Sequence, residues 1–406
     1  MKPPERIPKM LLLTLEYPPP ITGGSYRYLW NLLRFLPAEA EPLVQAQISS
    51  APEAEAEDAA HPGTVERVTF LAPDADGSYS IRPRAREWAG QAKELIAQHQ
   101  PELIVAGDLF LAGTTGYMLS RETGVPLVVV LYGEELSTLL RTPSRLRRWY
   151  RALRARAVLK HARGLLGVSD YTLGLARKLG ARPQRCFKIR PPVGDEMLSA
   201  GELREEYRQW RATKELVVLQ TGRLVERKGQ QLVIACLPQL LREFPGLGYV
   251  IVGGGETAQA LRQQAEQLQV SDAVFFAGQV SECELAAHYE DADLFVMPHY
   301  ELANGDTEGC PTVFLEAALH GLPAVGGDAG GVSDAIVHGE TGLIVHAEDQ
   351  GQLQSALAEL LRDPKRRQAM GEAGRQRVLT QFRAQDASEQ FGQWCAGIVS
   401  SREHRS

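Results

Sequence analysis

Short runs of leucine, valine, isoleucine and small residues recur along this chain, with segments of helical length and pattern between them. In the first half the runs fall at 10–16, 43–47, 65–70, 103–106, 127–132, 165–168 and 187–190. In the second half they fall at 216–222, 249–252, 274–277, 294–297, 324–326 and 343–345. Several, such as Leu127-Val128-Val129-Val130-Leu131, are unbroken apolar blocks rather than apolar–polar alternations. Blocks of that kind suit strands covered on both faces, as in a parallel sheet. Strand–helix alternation run through twice in 406 residues predicts two doubly wound, Rossmann-like α/β domains.

The expected boundaries follow from breaks in this rhythm. Residues 1–198 form the first domain, ending after the Pro191-Pro192 strand exit, and 199–213 read as a linker around a charged helix at 202–210. A second domain spans 214–385. The terminal 386–406 read as a helix crossing back to the first domain, anchored by Phe391 and Trp394. The Ala/Glu-rich stretch 51–60 reads as a solvated loop. Two facing domains of this type leave a cleft at the carboxyl ends of their strands, so chemistry is sought just after strands.

Composition narrows the function classes. Apolar residues at 44% and charged residues at 23% describe an ordinary globular protein and exclude disordered or collagenous readings. A net charge of -6 gives no support for nucleic acid as partner. No apolar run approaches the roughly 20 residues needed to span a bilayer. Five cysteines in an odd, unpatterned set read as reduced thiols of a cytoplasmic protein.

Three loops after strands carry candidate chemistry. Gly23-Gly24 follow the first strand and precede a helix at 25–36, where bare backbone N–H groups and the helix dipole suit an anion; the alternative is a turn needing positive φ. Arg223 and Lys228, in the loop Gly222–Gly229, suit a pyrophosphate; the alternative is a solvated basic turn. Glu308-Gly309-Cys310-Pro311-Thr312 lead into a helix marked by Pro311, with Glu316 eight positions after Glu308. Backbone N–H groups of Gly309, Cys310 and Thr312 are expected to face the cleft. Glu308 suits sugar hydroxyls and Glu316 a ribose diol; the alternative is a helix start with two stabilising acids.

In this order and spacing the three elements resemble the retaining GT-B glycosyltransferases of family 4, which use nucleotide-diphosphate sugars. The resemblance extends to Val168-Ser169, Gly278-Gln279-Val280, Gly330-Gly331-Val332 and Glu340-Thr341-Gly342-Leu343, and so covers essentially the whole chain. It implies a GT-B fold and assigns roles by position. Gly23 and Gly24 lie against the diphosphate, Arg223 and Lys228 clamp it, and the backbone at Val280 holds the base. Glu316 accepts the ribose hydroxyls, while Glu308 and the amides of Gly309 to Thr312 hold the sugar and its phosphate. It further implies a UDP- or GDP-sugar donor, no metal or other cofactor, and a hydroxyl acceptor on a lipid-linked or polysaccharide intermediate. One departure stands out: where many relatives carry a donor-contacting His, this chain has Tyr132, a phenol that does not titrate near neutrality.

Asp74-Ala75-Asp76 and Asp291-Ala292-Asp293 match a metal-binding Asp-x-Asp pattern but read as a polar loop and a helix-to-strand turn. Between Leu136 and Ser169 there is no carboxylate, while cations are dense from Arg141 to Arg163. Leu146, Trp149, Tyr150, Leu153 and Ala157 form an apolar stripe among them at helical spacing. Region 141–163 therefore suits peripheral docking on the anionic inner face of a membrane; the alternative is a helix whose stripe covers its own sheet. The sequence thus reads as a retaining glycosyltransferase. Two rivals are a nucleotide-sugar epimerase on the same architecture and an inactive relative acting as a scaffold subunit.

Overall fold

The computed structural model describes residues 6–15, 17–18, 24–47, 54–61, 63–69, 81–141, 145–194 and 199–403. Their backbone forms two parallel sheets. The first comprises β1 (Met10–Thr14), β2 (Leu43–Gln47), β3 (Thr64–Val68), β4 (Leu103–Ala106), β5 (Leu127–Leu131), β6 (Gly164–Gly167) and β7 (Cys186–Lys188), in the order β3-β2-β1-β4-β5-β6-β7. The second comprises β8 (Leu216–Thr221), β9 (Leu247–Val252), β10 (Val274–Gly278), β11 (Leu294–Met297), β12 (Ala324–Gly327) and β13 (Gly342–Val345), in the order β10-β9-β8-β11-β12-β13. Each strand falls on an apolar run expected from the sequence. Strand order reverses between β1 and β4 and again between β8 and β11, the places where doubly wound sheets open a crevice at their carboxyl ends.

The second sheet shows why unbroken apolar runs make these strands. Val218, Tyr249, Ile251, Leu294 and Val296 enter one buried cluster, while Val217, Leu219, Val250, Val252, Phe295 and Met297 enter another. Successive side chains point to opposite faces, so a strand covered on both faces needs an apolar residue at every step.

Contacts divide the chain into two compact units, Met1–Pro192 with Ala384–Ser406, and Val193–Arg383. Residues 199–213, expected as a linker, lie within the second unit. Their helix Glu205–Arg211 buries Tyr207 against Phe275 and His288, with ring centroids 5.1 and 4.5 Å away. The last helix, Ala384–Glu403, packs in the first unit: Ser388 Oγ donates to the Leu32 carbonyl at 2.9 Å, and Trp394 stacks on Phe187 at 5.2 Å.

Part of the expected 51–60 loop is a helix, Ala54–Ala60. Alanine and glutamate favour helix, and Asp58 fixes this one by pairing with Arg67 at 2.7 Å. Arg67 in turn donates to the carbonyls of Tyr17 and Pro18, holding the start of the loop after β1. No helix among the described residues is long and apolar enough to cross a membrane.

Candidate functional site

A charged cluster of the second unit lies at its strand-order reversal. The loop after β8 brings Arg227 and Lys228, and the loop after β11 brings Asp306 and Glu308. Lys228 Nζ lies 2.7 Å from Glu308 Oε1, Arg227 Nε lies 2.8 Å from Asp306 Oδ1, and Arg227 Nη1 is also paired with Glu308. Side-chain exposures of 5% for Arg227 and 10% for Lys228 put these pairs in a largely desolvated setting. Two charges of each sign face one another there, as buried ions require, although Arg227 Nε and Asp306 Oδ1 do not meet in hydrogen-bond geometry.

The backbone beneath is built for this approach. Gly229 has φ 76°, and a Cβ there would overlap the Pro298 carbonyl oxygen, so the two loops meet only through a glycine. Gly330, at φ 61°, likewise lies against the Glu308 carbonyl oxygen, which accepts from Gly331 N at 3.1 Å. From inside β8, the buried Gln220 amide donates to the Lys228 carbonyl at 2.7 Å and accepts from Tyr249 Oη at 2.6 Å.

Burial pulls Lys228 down from the ordinary lysine range to about 7, and the Arg227 and Arg223 guanidiniums push the same way; the Glu316 and Asp306 carboxylates oppose. His299, beside this cluster, is lowered to about 4, chiefly by burial, so its ring is neutral near pH 7. Arg223 is exposed, and its side chain makes no hydrogen bond or ion pair among the described residues. It is thus the cation of this loop left to meet an incoming anion. Arg227 was not singled out from the sequence, where it reads as one more surface charge beside Lys228.

Glu316 lies on the helix Val313–Leu319, which begins two residues after Pro311, and a hydrogen-bond chain holds it. Tyr289 Oη donates to its Oε2 at 3.0 Å, and Thr312 Oγ1 donates to its Oε1 at 3.2 Å. Having one proton, the Tyr289 hydroxyl accepts at 2.8 Å from Thr221 Oγ1 at the end of β8. Gly309 and Cys310 are half-buried in the approach to this helix, and Pro311 is buried. Val280 follows β10 and packs against the apolar cluster that contains Phe314 and Leu315. The loops after β8, β9 and β10 are stitched by Leu224 N to Gly254 O at 2.9 Å and Gly253 N to Gly278 O at 2.7 Å. Asp291 and Asp293 face structural partners: Arg211 is 2.8 Å from Asp291, and Val217 N donates to Asp293 at 2.8 Å.

In the first unit, Gly24 opens the helix Gly24–Leu33, whereas Gly23, Asp74 and Asp76 lie outside the described residues. Tyr132 follows β5, its ring edge-on to Tyr28 at 6.0 Å. The backbone N–H groups of Tyr132 and Gly133 donate to the two oxygens of Glu135 at 2.9 and 3.0 Å. Burial pushes the Glu135 carboxyl up to about 7; the charge of Asp108 adds to this, and the backbone donors oppose it. Glu135 was not read as special from the sequence, since a second acid in the first turn of a helix is common.

The basic stretch leaves its apolar stripe exposed where its side chains are described. In the helix Arg145–His161, Ala155, Val158 and Leu159 are buried, whereas Trp149 at 60%, Leu153 at 43% and Ala157 are exposed, with Arg156 and Lys160 exposed beside them. The expected stripe is therefore not the face that meets the sheet. The side chains of Leu146, Arg147 and Tyr150 lie outside the described residues.

Two doubly wound parallel sheets in one chain, each reversing order beside its first strand, are the architecture of the GT-B glycosyltransferases. The chain belongs to the family of glycosyl transferases group 1: that family's model matches residues 204–377, and the glycosyl transferase 4-like domain matches 19–191. A GDP-mannose-dependent alpha-(1-6)-phosphatidylinositol monomannoside mannosyltransferase of Mycolicibacterium smegmatis is 30% identical over 97% of this chain and 100% of its own. Its namesake in Mycobacterium tuberculosis is 39% identical over 58% of this chain, a match that spans 62% of that relative's length. Among solved structures, Anabaena Alr3699/HepE in complex with UDP is similar with a TM-score of 0.75 and 21% identity, covering 97% of this chain and 100% of that one. Sucrose-phosphate synthase from Thermosynechococcus elongatus gives 0.76 and 20%, with the same coverage. At that identity the likeness is one of fold.

Proposed function

We propose that this glycosyltransferase moves mannose from GDP-mannose to a hydroxyl of a phosphatidylinositol-linked acceptor, with retention at the anomeric carbon. The observation that carries the donor reading is the Lys228–Glu308 contact at 2.7 Å, with Arg223 left uncommitted on the same loop. The donor and acceptor are those in the names of the mycobacterial relatives. In the reaction the bond from the anomeric carbon to the diphosphate breaks and one to the acceptor oxygen forms, the hydroxyl proton passing to the departing phosphate as negative charge grows on GDP. Arg223 and Lys228 neutralise that charge, which is the largest contribution asked of the protein. No metal is assigned to this step. Glu308, pinned between two cations, accepts hydroxyl hydrogen bonds from the sugar rather than attacking it. Glu316, steadied by Tyr289 and Thr312, takes the ribose diol, and the backbone at Val280 holds the base.

Calorimetric titration of GDP and of UDP, without metal, into wild type and Arg223→Ala tests the donor site. GDP binding that collapses in the variant is the expected result; no binding of either nucleotide overturns the reading and favours a scaffold role. NMR of the transfer product then reports the anomeric configuration.

On the acceptor side, the exposed Trp149, Leu153, Arg156 and Lys160 follow one helical face, an apolar edge among cations that suits an anionic lipid surface. Each cation near such a surface adds about 1 kcal/mol. Replacing Arg156 and Lys160 with glutamate should weaken sedimentation with phosphatidylinositol vesicles while GDP binding persists. Unchanged sedimentation removes the membrane part of the proposal.

A further inference from the structure

We propose that the first unit carries a second anion site, suited to a phosphate group, in a cavity of about 340 Å3 lined by Ser120, Arg121, Gly124, Pro126, His161 and Arg163. It lies where β5 and β6 begin, away from the strand ends that carry the donor motifs, and it does not depend on the donor reading.

Charge is the first argument. Arg121 and Arg163 line the cavity, and Arg185 stands close enough to act on His161. His161 is held below the ordinary histidine range by burial and then by Arg121, Arg163 and Arg185. Arg185 is lowered by burial and then by Arg182 and Arg163. No carboxylate contributes to either shift. The acid next in sequence, Glu122, is paired with Lys93 at 2.6 Å.

The ordinary explanation for such cations is the negative end of a helix. Two helices do finish here, Leu111–Thr123 and Arg145–His161. Each C-terminus is equivalent to roughly half a negative charge, about one in all, against the three guanidiniums of Arg121, Arg163 and Arg185. One donor of Arg185 is already committed to the carbonyls of Lys160 and Ala162, at 2.7 and 2.8 Å. Arg163 is exposed, and its side chain makes no hydrogen bond or ion pair among the described residues. The helix ends therefore leave most of the repulsion standing, and an anion relieves it.

Donor geometry is the second argument. Arg121 and Arg163, from two segments, line one cavity, with Ser120 Oγ and His161 Nε2 joined at 2.9 Å on its wall; Arg121 also donates to Tyr117 Oη at 3.2 Å. A phosphate can accept from several such donors at once. The volume is about ten times the roughly 30 Å3 share of a water molecule, leaving room for the group that a phosphate ester carries. That group is either a lipid or a soluble phosphate ester.

Histidine-labelled full-length protein separates the outcomes. The His161 resonance, assigned by its loss in His161→Gln, should shift as inorganic phosphate is added. The Arg121→Gln/Arg163→Gln pair should weaken that response by about tenfold or more, the loss expected for a charge-assisted hydrogen bond. A wild-type His161 signal unmoved by millimolar phosphate overturns the site, and so does a response equal in the double variant. Both substitutions are at exposed positions. The wild-type shift is decisive even if the variant proves unstable. Sedimentation with phosphatidylcholine vesicles containing phosphatidylinositol then identifies the source. Loss of vesicle binding in the double variant assigns a lipid headgroup, and binding kept while the phosphate response is lost assigns a soluble ester.

Discussion

Gln220, wholly buried in β8, donates to the main-chain carbonyl of Lys228 at 2.7 Å, so the core of the second sheet grips the basic loop by its backbone. Gln220→Leu keeps the volume but leaves that carbonyl and the Tyr249 hydroxyl without their partner. A loss of about 1–3 kcal/mol in unfolding free energy is expected by denaturant titration. Nucleotide affinity should fall with it; a variant as stable and as tight as wild type would show that the loop is held elsewhere.

Arg227 joins Asp306 and Glu308. Arg227→Met leaves two carboxylates facing a single ammonium and should cost about 3–5 kcal/mol, the usual penalty for breaking a buried pair from one side. Adding Asp306→Asn should recover part of that loss, because it removes one of the stranded charges. A double-mutant cycle read by chemical denaturation measures the coupling, and strictly additive losses would contradict a shared network.

On the proposed donor reading, a pH dependence of nucleotide binding is expected from Lys228. With its ammonium pulled to about 7, much of the nucleotide-free protein carries a neutral amine at pH 8. A diphosphate favours the charged form, so binding takes up a proton above pH 7. Affinity should then fall with rising pH by up to about tenfold per unit. Calorimetry in buffers of different ionisation enthalpy should register this uptake. Lys228→Met should lose both the uptake and the slope.

Glu135 makes the stability of the fold itself pH-dependent. Its carboxyl is raised to about 7 in the folded chain, from 4.5. The folded state therefore binds the proton more tightly, and this stabilising contribution is complete below pH 4.5 and lost as pH rises through 7. The thermal midpoint of wild type should decline across that window more steeply than that of Glu135→Gln. Parallel profiles would mean that the carboxyl is not perturbed.

Strand positions were legible because a strand covered on both faces leaves an unmistakable mark: Val217 to Leu219 and Leu294 to Met297 are apolar at every step. The Lys228 and Glu308 loops were legible for a related reason, since each follows such a strand and is bracketed by glycines. Arg227 was not, because sequence does not say that both adjacent cations turn inward; that depends on where the loop after β11 brings Asp306 and Glu308. The helix Ala54–Ala60 was missed because its anchor, Asp58 to Arg67, is a tertiary contact. The period of Trp149 and Leu153 marks a stripe but not whether it packs or is exposed; it is exposed because the neighbouring face, Val158 and Leu159, is the one that packs.

The return of the chain into its first unit has a consequence for how the protein is made. The partners that cover Phe187, Gly164 and the carbonyl of Leu32 are Trp394, Ile398 and Ser388. On a ribosome these emerge only after the whole of the second unit. The second unit, one unbroken stretch from Val193 to Arg383, has all of its own contacts in hand before the first does. The earliest-made half therefore waits, incomplete, for the final helix, and nascent chains stalled before Ala384 should be open to protease in the first unit while the second is already protected.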